Sequence, residues 1–356
     1  MLTKTALTPA WYTFRWRNFS YRIDRRAPKI MLAIVAFTLI TLVFSISYGE
    51  YNIPPLDVVR TLLNTNTDHP DYANFRLVVM TFRLPRIVLA FMVGAALATS
   101  GTIMQGLTRN PLADPGIIGV SAGAGFVAVL FIVVLKTAPL TLLPWAAFAG
   151  ALLTALAIYA LAWKHGSTSP MRLILIGVAL ASLLGAFTTV MLVFGNINDV
   201  QQAYVWLTGS VYGRNWEHVQ VMGGWLLVLL PLAILSAWQL NTLALGDDTA
   251  KGLGMRLEVN RGVLLVIGVG LAAASVAVAG TIGFVGLVAP HVTRRLVGPA
   301  HEGLIPVSAM FGGALLVLAD LIGRAVIVPS ELPVGIVTAL IGAPYFLFLF
   351  YRNRNH

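Results

Sequence analysis

The chain contains no cysteine. That excludes disulfides, thiolate metal ligands and cysteine nucleophiles, and it leaves the redox compartment unreadable. Charge is also scarce. Asp, Glu, Lys and Arg make up 11% of the 356 residues, against roughly 25% in a soluble domain. No G-x-x-x-x-G-K-[ST] loop occurs, so the chain does not bind and hydrolyse ATP in the P-loop manner. Its six histidines are scattered, with neither H-E-x-x-H nor a close pair at ligand spacing, so no metal site is expected. Nothing in this inventory points to an enzyme.

What is present is apolar. Hydrophobic residues make up 58%, and the mean hydropathy is +0.82. This composition predicts an all-α polytopic membrane protein. A span needs about 20 mainly apolar residues, so the length accommodates about ten spans and no separate soluble domain. The formal charge of +10 could suggest nucleic acid, but the basic residues fall in short loops and at the termini, where they act as topology signals. Residues 1–28 carry Lys4, Arg15, Arg17, Arg22, Arg25 and Arg26 among the aromatics Trp11, Tyr12, Phe14, Trp16 and Phe19. Without the small-residue cleavage site of a signal peptide, they read as a retained cytoplasmic arm along the membrane surface. Residues 29–356 form the membrane domain.

Ten spans are expected: Ile30–Tyr48, Ile87–Leu107, Ile117–Leu135, Thr141–Trp163, Leu173–Phe194, Val219–Leu240, two from the run 263–289, Leu304–Ile322 and Val334–Tyr351. Pro54, Pro55 and Pro70 mark an exterior loop after the first span. A short interfacial helix is expected over Val200–Leu207. The uncharged run 263–289 is long for one helix, and Gly280 and Gly283 offer a turn. Read as a hairpin, it places 17 of the 24 Lys and Arg residues on the cytoplasmic side; read as one span, 14. The positive-inside rule prefers the hairpin.

Between the sixth and seventh spans lies the polar stretch LALGDDTAKGLGMRLEVNR (Leu243–Arg261). Asp247 and Asp248 head a short helix, where exposed N–H groups favour negative charge, and Gly252 and Gly254 stop it. A segment too short to fold alone, held between two spans, suits being gripped by another protein. Ionisable residues fall almost wholly at span ends. Asp320 is the nearest exception, and Arg324 at i+4 is its expected partner. A pathway with neither a proton relay nor an energy domain implies an external motor.

Six ordered motifs then become specific: RLPR (Arg83–Arg86), GAALATSGTIMQGLTRNPLADPGIIGVSAGAG, ALGDDTAKGLG, AGTIGFVGLVAPHVTRR, LADLIGR and ELPVGIVTALIGAPYFL. Together they resemble the FecCD family of ABC importer permeases over about Gly49–Tyr351. The resemblance implies a ten-helix permease in the bacterial inner membrane with both termini cytoplasmic. It pairs with an identical or sibling permease, two ATP-binding subunits and an extracytoplasmic solute-binding protein. ATP and Mg would sit on the partner ATPase, with no cofactor on this chain.

The resemblance assigns Ala244, Leu245, Gly246, Asp247, Asp248, Thr249, Ala250, Leu253 and Gly254 to ATPase coupling. Arg83, Arg86 and Arg324 match positions that dock the binding protein, and headgroup anchoring or the Asp320 pair are the alternatives. Asn110, Leu112, Thr168 and Ser169 match a cytoplasmic gate; read without the family, they would be helix caps. His291 reads as structural. The expected cargo is a ferric siderophore, because Trp206–Ser210 (W-x-x-G-S) resembles siderophore permeases. Cobalamin and haem remain the alternatives, and an ion-coupled transporter is the distant one.

Overall fold

The computed structural model describes residues 11–352 apart from 17, 18, 50, 66, 137, 328 and 329. The first ten residues of the arm, and Lys4, Arg17 and Arg354 of the charge count, lie outside the described residues.

The second span is the axis of the molecule. Helix α4 (Leu84–Thr108) follows α3 (Tyr72–Arg76) through a π-helical stretch, Leu77–Arg83, so one apolar helix runs from Tyr72 to Thr108. Every residue from Val93 to Leu107 is buried. Its composition explains this. Between helices in lipid there is no hydrophobic drive, so close backbone approach over small residues supplies the attraction. A Cβ added to Gly94 would lie 2.2 Å from the carbonyl oxygen of Gly312, and one added to Gly101 would lie 1.8 Å from that of Gly286. The GAALATSG stretch thus touches two neighbouring helices backbone to backbone.

Around this axis stand α1 (Arg26–Ser47), α9 (Trp216–Leu235), α12 (Leu257–Ala279), α13 (Val285–Val297) and α14 (His301–Val326). A second group joins α5 (Val120–Val129, extended by π-helical Leu130–Val134), α6 (Leu143–Ala162) and α7 (Pro170–Phe194). Short α2 (Pro55–Leu62) and α8 (Ile197–Leu207) lie in loops on one side. α10 (Ala237–Ala244) and α11 (Asp247–Gly252) lie on the other, and α15 (Val334–Arg352) closes the chain. Seven helices are long and apolar enough to cross a membrane, and Val120–Val134 and Val334–Phe348 are shorter apolar helices.

Several expectations shift: the second span begins at Tyr72 rather than Ile87, and the third is shortened to Val120–Val134. The first span begins at Arg26 rather than Ile30, because Pro28 sits in the first helical turn, where its missing N–H is not needed. The sixth stops at Leu235, a turn after Pro231, and resumes as α10. The 263–289 run turns where expected, but unequally: α12 has 23 residues and α13 only 13, too few for a full crossing.

The irregular link between α12 and α13 is anchored to the segment after α8, which is itself tied to the start of α15. The Ser210 N–H donates to the Ala279 carbonyl at 2.7 Å, the Thr281 hydroxyl to Leu207, and the Gly335 N–H to Gly209 at 3.1 Å. The W-x-x-G-S stretch therefore has a structural task.

The arm forms an antiparallel hairpin of β1 (Trp11–Trp16) and β2 (Phe19–Asp24), with Trp11 opposite Asp24 and Trp16 opposite Phe19. β2 lies against α1 and α14.

Candidate functional site

Gly246 connects α10 to α11 at φ 105°, ψ 156°, a region open essentially to glycine alone. The six-residue helix it launches has Asp247 and Asp248 in its first turn and Lys251 in its last, each at the end the backbone dipole favours. The coupling residues separate by face. Ala250 is fully buried, whereas Leu245 is 62% and Leu253 59% exposed. Ala244, Asp248, Thr249 and Gly254 are exposed beside them. Two bare leucines flanking an acidic helix head form a surface suited to a protein partner.

Asp247 turns the other way. Its two oxygens accept from Arg261 Nη2 at 2.8 and 2.9 Å, and Oδ1 also accepts from Arg109 Nη2. Partial burial pushes this carboxylate up, but hydrogen bonds from Arg109 and Arg261, with their charges, hold it below the usual carboxylate range. The stability it contributes is therefore present at neutral pH and is lost only as pH falls through that lowered value.

Arg261 is 5% exposed and reaches further. Its Nη1 donates to the Thr168 carbonyl at 3.0 Å and to Glu258 Oε1 at 3.1 Å. Glu258 Oε2 accepts from the Thr168 N–H at 3.2 Å and from its hydroxyl at 2.8 Å. Thr168 is thus tied to α12. Ser169 occupies the position before α7 without a side-chain cap bond, so neither residue caps the helix through its side chain.

On the other predicted gate segment, Asn110 Oδ1 accepts from the Leu112 N–H at 3.0 Å, an Asx turn that ends the chain's run along α4. Arg109 just before it is left-handed, φ 52°, which costs a residue with a Cβ roughly 1–2 kcal/mol. Its Nε bond to the Leu243 carbonyl at 2.7 Å and its pair with Asp247 hold it there. Leu107 and Thr108 of α4, Tyr159 of α6, Pro170 and Leu173 of α7, and Arg261 line one narrow crevice. The helix ends next to the two predicted gate segments therefore line the same crevice. Arg109, Glu258 and Arg261, which join the candidate residues to one another, were not expected there, because arginines at loop ends read as topology signals. The Glu258–Arg261 spacing of i, i+3 was the available signal.

At the opposite end of the spans, Arg86 is 9% exposed. It donates to Asp320 Oδ1 from Nε (3.1 Å) and Nη2 (2.8 Å), and to Glu331 Oε2 from Nη1 (2.7 Å). Arg324, 7% exposed, donates to the Ser45 and Tyr48 carbonyls at 3.0 and 3.2 Å, and its Nε lies 3.3 Å from Asp320 Oδ2. The expected Asp320–Arg324 pair is present, but the closer partner of Asp320 is Arg86 from another helix. Arg83 is half-buried and bonds the carbonyls of Ile46 and Tyr51, the latter at 2.7 Å. Three guanidiniums against two carboxylates leave this cluster one positive charge in excess.

His291 lies in α13, edge-on to Tyr345 with centroids 6.2 Å apart, and its Nε2 is buried without a hydrogen-bond partner. Among the described residues, no three His, Cys, Asp or Glu are close enough to hold a metal. The buried ionised side chains among those residues, Arg86, Arg261, Asp320 and Arg324, all sit near helix ends.

Residues 37–352 match the model of the FecCD transport family. The chain is 43% identical over 334 residues to an iron(3+)-hydroxamate import system permease protein of Bacillus subtilis, covering 91% of this chain and 97% of that one. It is 40% identical over 335 residues to a hemin transport system permease protein of Yersinia pestis, covering 93% and 98%. A solved metal-chelate-type ABC transporter in an inward-facing conformation superposes with a TM-score of 0.81 at 32% identity, over 91% of this chain and 99% of that chain.

Proposed function

Because this chain belongs to the FecCD transport family, a multi-pass permease of ABC importers, we propose that it carries ferric siderophores inward on energy supplied by a separate ATPase. The observation that carries the reading is the exposed Leu245–Leu253 surface on α11, rooted by Asp247 in the segments beside the gate. Two ATP-binding subunits grip that surface from the cytoplasm, where both termini also lie. A second permease, identical or sibling, completes the pathway in the bacterial inner membrane. Asn110, Leu112, Thr168 and Ser169 form the cytoplasmic gate. When the ATPase subunits close on ATP, α11 moves and the gate segments follow.

A ferric hydroxamate is the first cargo to test, since permeases similar to this chain carry siderophore, iron-hydroxamate and hemin names. In proteoliposomes the chain alone is expected to leave ferric hydroxamate at equilibrium. With its ATPase and binding protein, accumulation should follow ATP and survive a protonophore. Uphill uptake by the chain alone, or collapse with the proton gradient, would remove the external motor. Haem and cobalamin, run in parallel, decide the cargo.

The solute-binding protein docks at the outer-side cluster of Arg83, Arg86 and Arg324. Arg86→Glu is a poor probe, since it sets a third carboxylate against Asp320 and Glu331. Arg83→Glu, at the half-exposed member, is expected to weaken binding-protein affinity roughly tenfold at low salt and far less at about 0.5 M, where screening is short-ranged. A titration at both salt levels checks this, and equal affinities at low salt would refute docking through Arg83.

A further inference from the structure

We infer that Arg261 is the positioning residue that carries movement of the docking helix to the gate segment at Thr168 and Ser169. The inference rests on the coupling and gating roles proposed above and adds the physical link between them. One guanidinium nitrogen, Nη2, holds both oxygens of Asp247 on α11, at 2.8 and 2.9 Å. The other, Nη1, holds the backbone of Thr168 at 3.0 Å. A guanidinium is a rigid plane with fixed donor directions, so displacement of Asp247 is delivered to Thr168 rather than absorbed by rotation.

Glu258 stiffens the link. It accepts from Arg261 at 3.1 Å with one oxygen and from the Thr168 N–H and hydroxyl with the other, which leaves Thr168 little freedom to lag. The same Asp247 carboxylate pairs with Arg109, the left-handed residue that ends α4 next to Asn110. One acid on a six-residue helix is therefore bonded to both sides of the gate. The leucine surface needs none of these bonds to bind an ATPase, so gripping and transmission belong to different side chains.

The test uses the complete importer, with its ATPase subunits and binding protein, in proteoliposomes. Arg261→Gln is expected to lower ferric hydroxamate uptake roughly tenfold or more, the scale of losing buried charge-assisted hydrogen bonds. ATPase association and hydrolysis should stay within about twofold, so more ATP is spent per chelate. Paired spin labels at Leu112 and Ser169 should change separation with ATP in the parent and change less in the variant, in which only the Arg109 link to Asp247 remains. If Arg261→Gln does not fold, Asp247→Asn, which keeps the shape but weakens both arginine bonds, should shift the ATP-to-chelate ratio in the same direction. An unchanged ratio, with uptake and hydrolysis falling together, or labels that respond to ATP as fully as in the parent, overturns the role of Arg261. Failure of the ATPase to bind the parental chain would instead overturn the coupling reading on which it rests.

Discussion

Leu245→Asp combined with Leu253→Asp is expected to abolish ATP-driven uptake while the permease still inserts and folds. Both side chains are more than half exposed beside α11, so their replacement disturbs little internal packing. In a complex, each leucine that becomes fully covered contributes about 1.5–3 kcal/mol of apolar burial. Losing two, and burying two carboxylates in their place, should weaken ATPase association by a factor of at least about 100, since each 1.4 kcal/mol is tenfold. Copurification of the ATPase and transport in the same membranes measure both halves of the claim. Retained ATPase binding would move the docking surface away from α11.

The second large effect concerns the fold. Gly101→Leu is expected to leave almost no folded permease, because the position of its Cβ lies 1.8 Å from the Gly286 carbonyl oxygen and 2.6 Å from the Gly286 Cα. Ordinary overpacking costs about 1–3 kcal/mol because side chains can shift. Here the obstacle is backbone, so α4 and α13 must separate as rods. Gly224→Leu is the matched control: nothing lies within 4 Å of its added Cβ, and it should accumulate normally. Size-exclusion profiles of the two in detergent decide the point. A monodisperse Gly101→Leu peak equal to that of the control would show that the close contact between the two helices is dispensable.

Much of this molecule is legible in its sequence because lipid makes the rules strict. Twenty-residue apolar runs give the spans, and the small residues around Gly94 and Gly101 identify the helix that others approach closely. The short helix at Asp247 is readable from Gly246 and the acids that follow it. Three things were hidden. The turn before the short α13 is held by Leu207 and Ser210, far away in the chain, which bond Thr281 and Ala279. The arm's strand pairing arises in a stretch whose basic and aromatic content reads equally well as a membrane-surface segment. The ion networks defeated local reasoning most clearly. Spacing of i, i+4 finds Arg324 for Asp320, but the shorter bond comes from Arg86, 234 positions away, and no periodicity points to it. Likewise Arg83, Arg86 and Arg324 look like free outward charges until their internal acceptors are seen.

The link between α12 and α13 also dictates an order of biogenesis. Ribosomal synthesis is vectorial, so Leu207 and Ser210 are already in place when Ala279 and Thr281 enter the bilayer, and they can receive them at once. Gly209, however, waits for Gly335, which arrives only with the last helix. The corner where the segment after α8, the α12–α13 link and the start of α15 come together is thus completed only when residue 335 has been made, and a nascent chain halted before it would leave the Gly209 carbonyl without that partner.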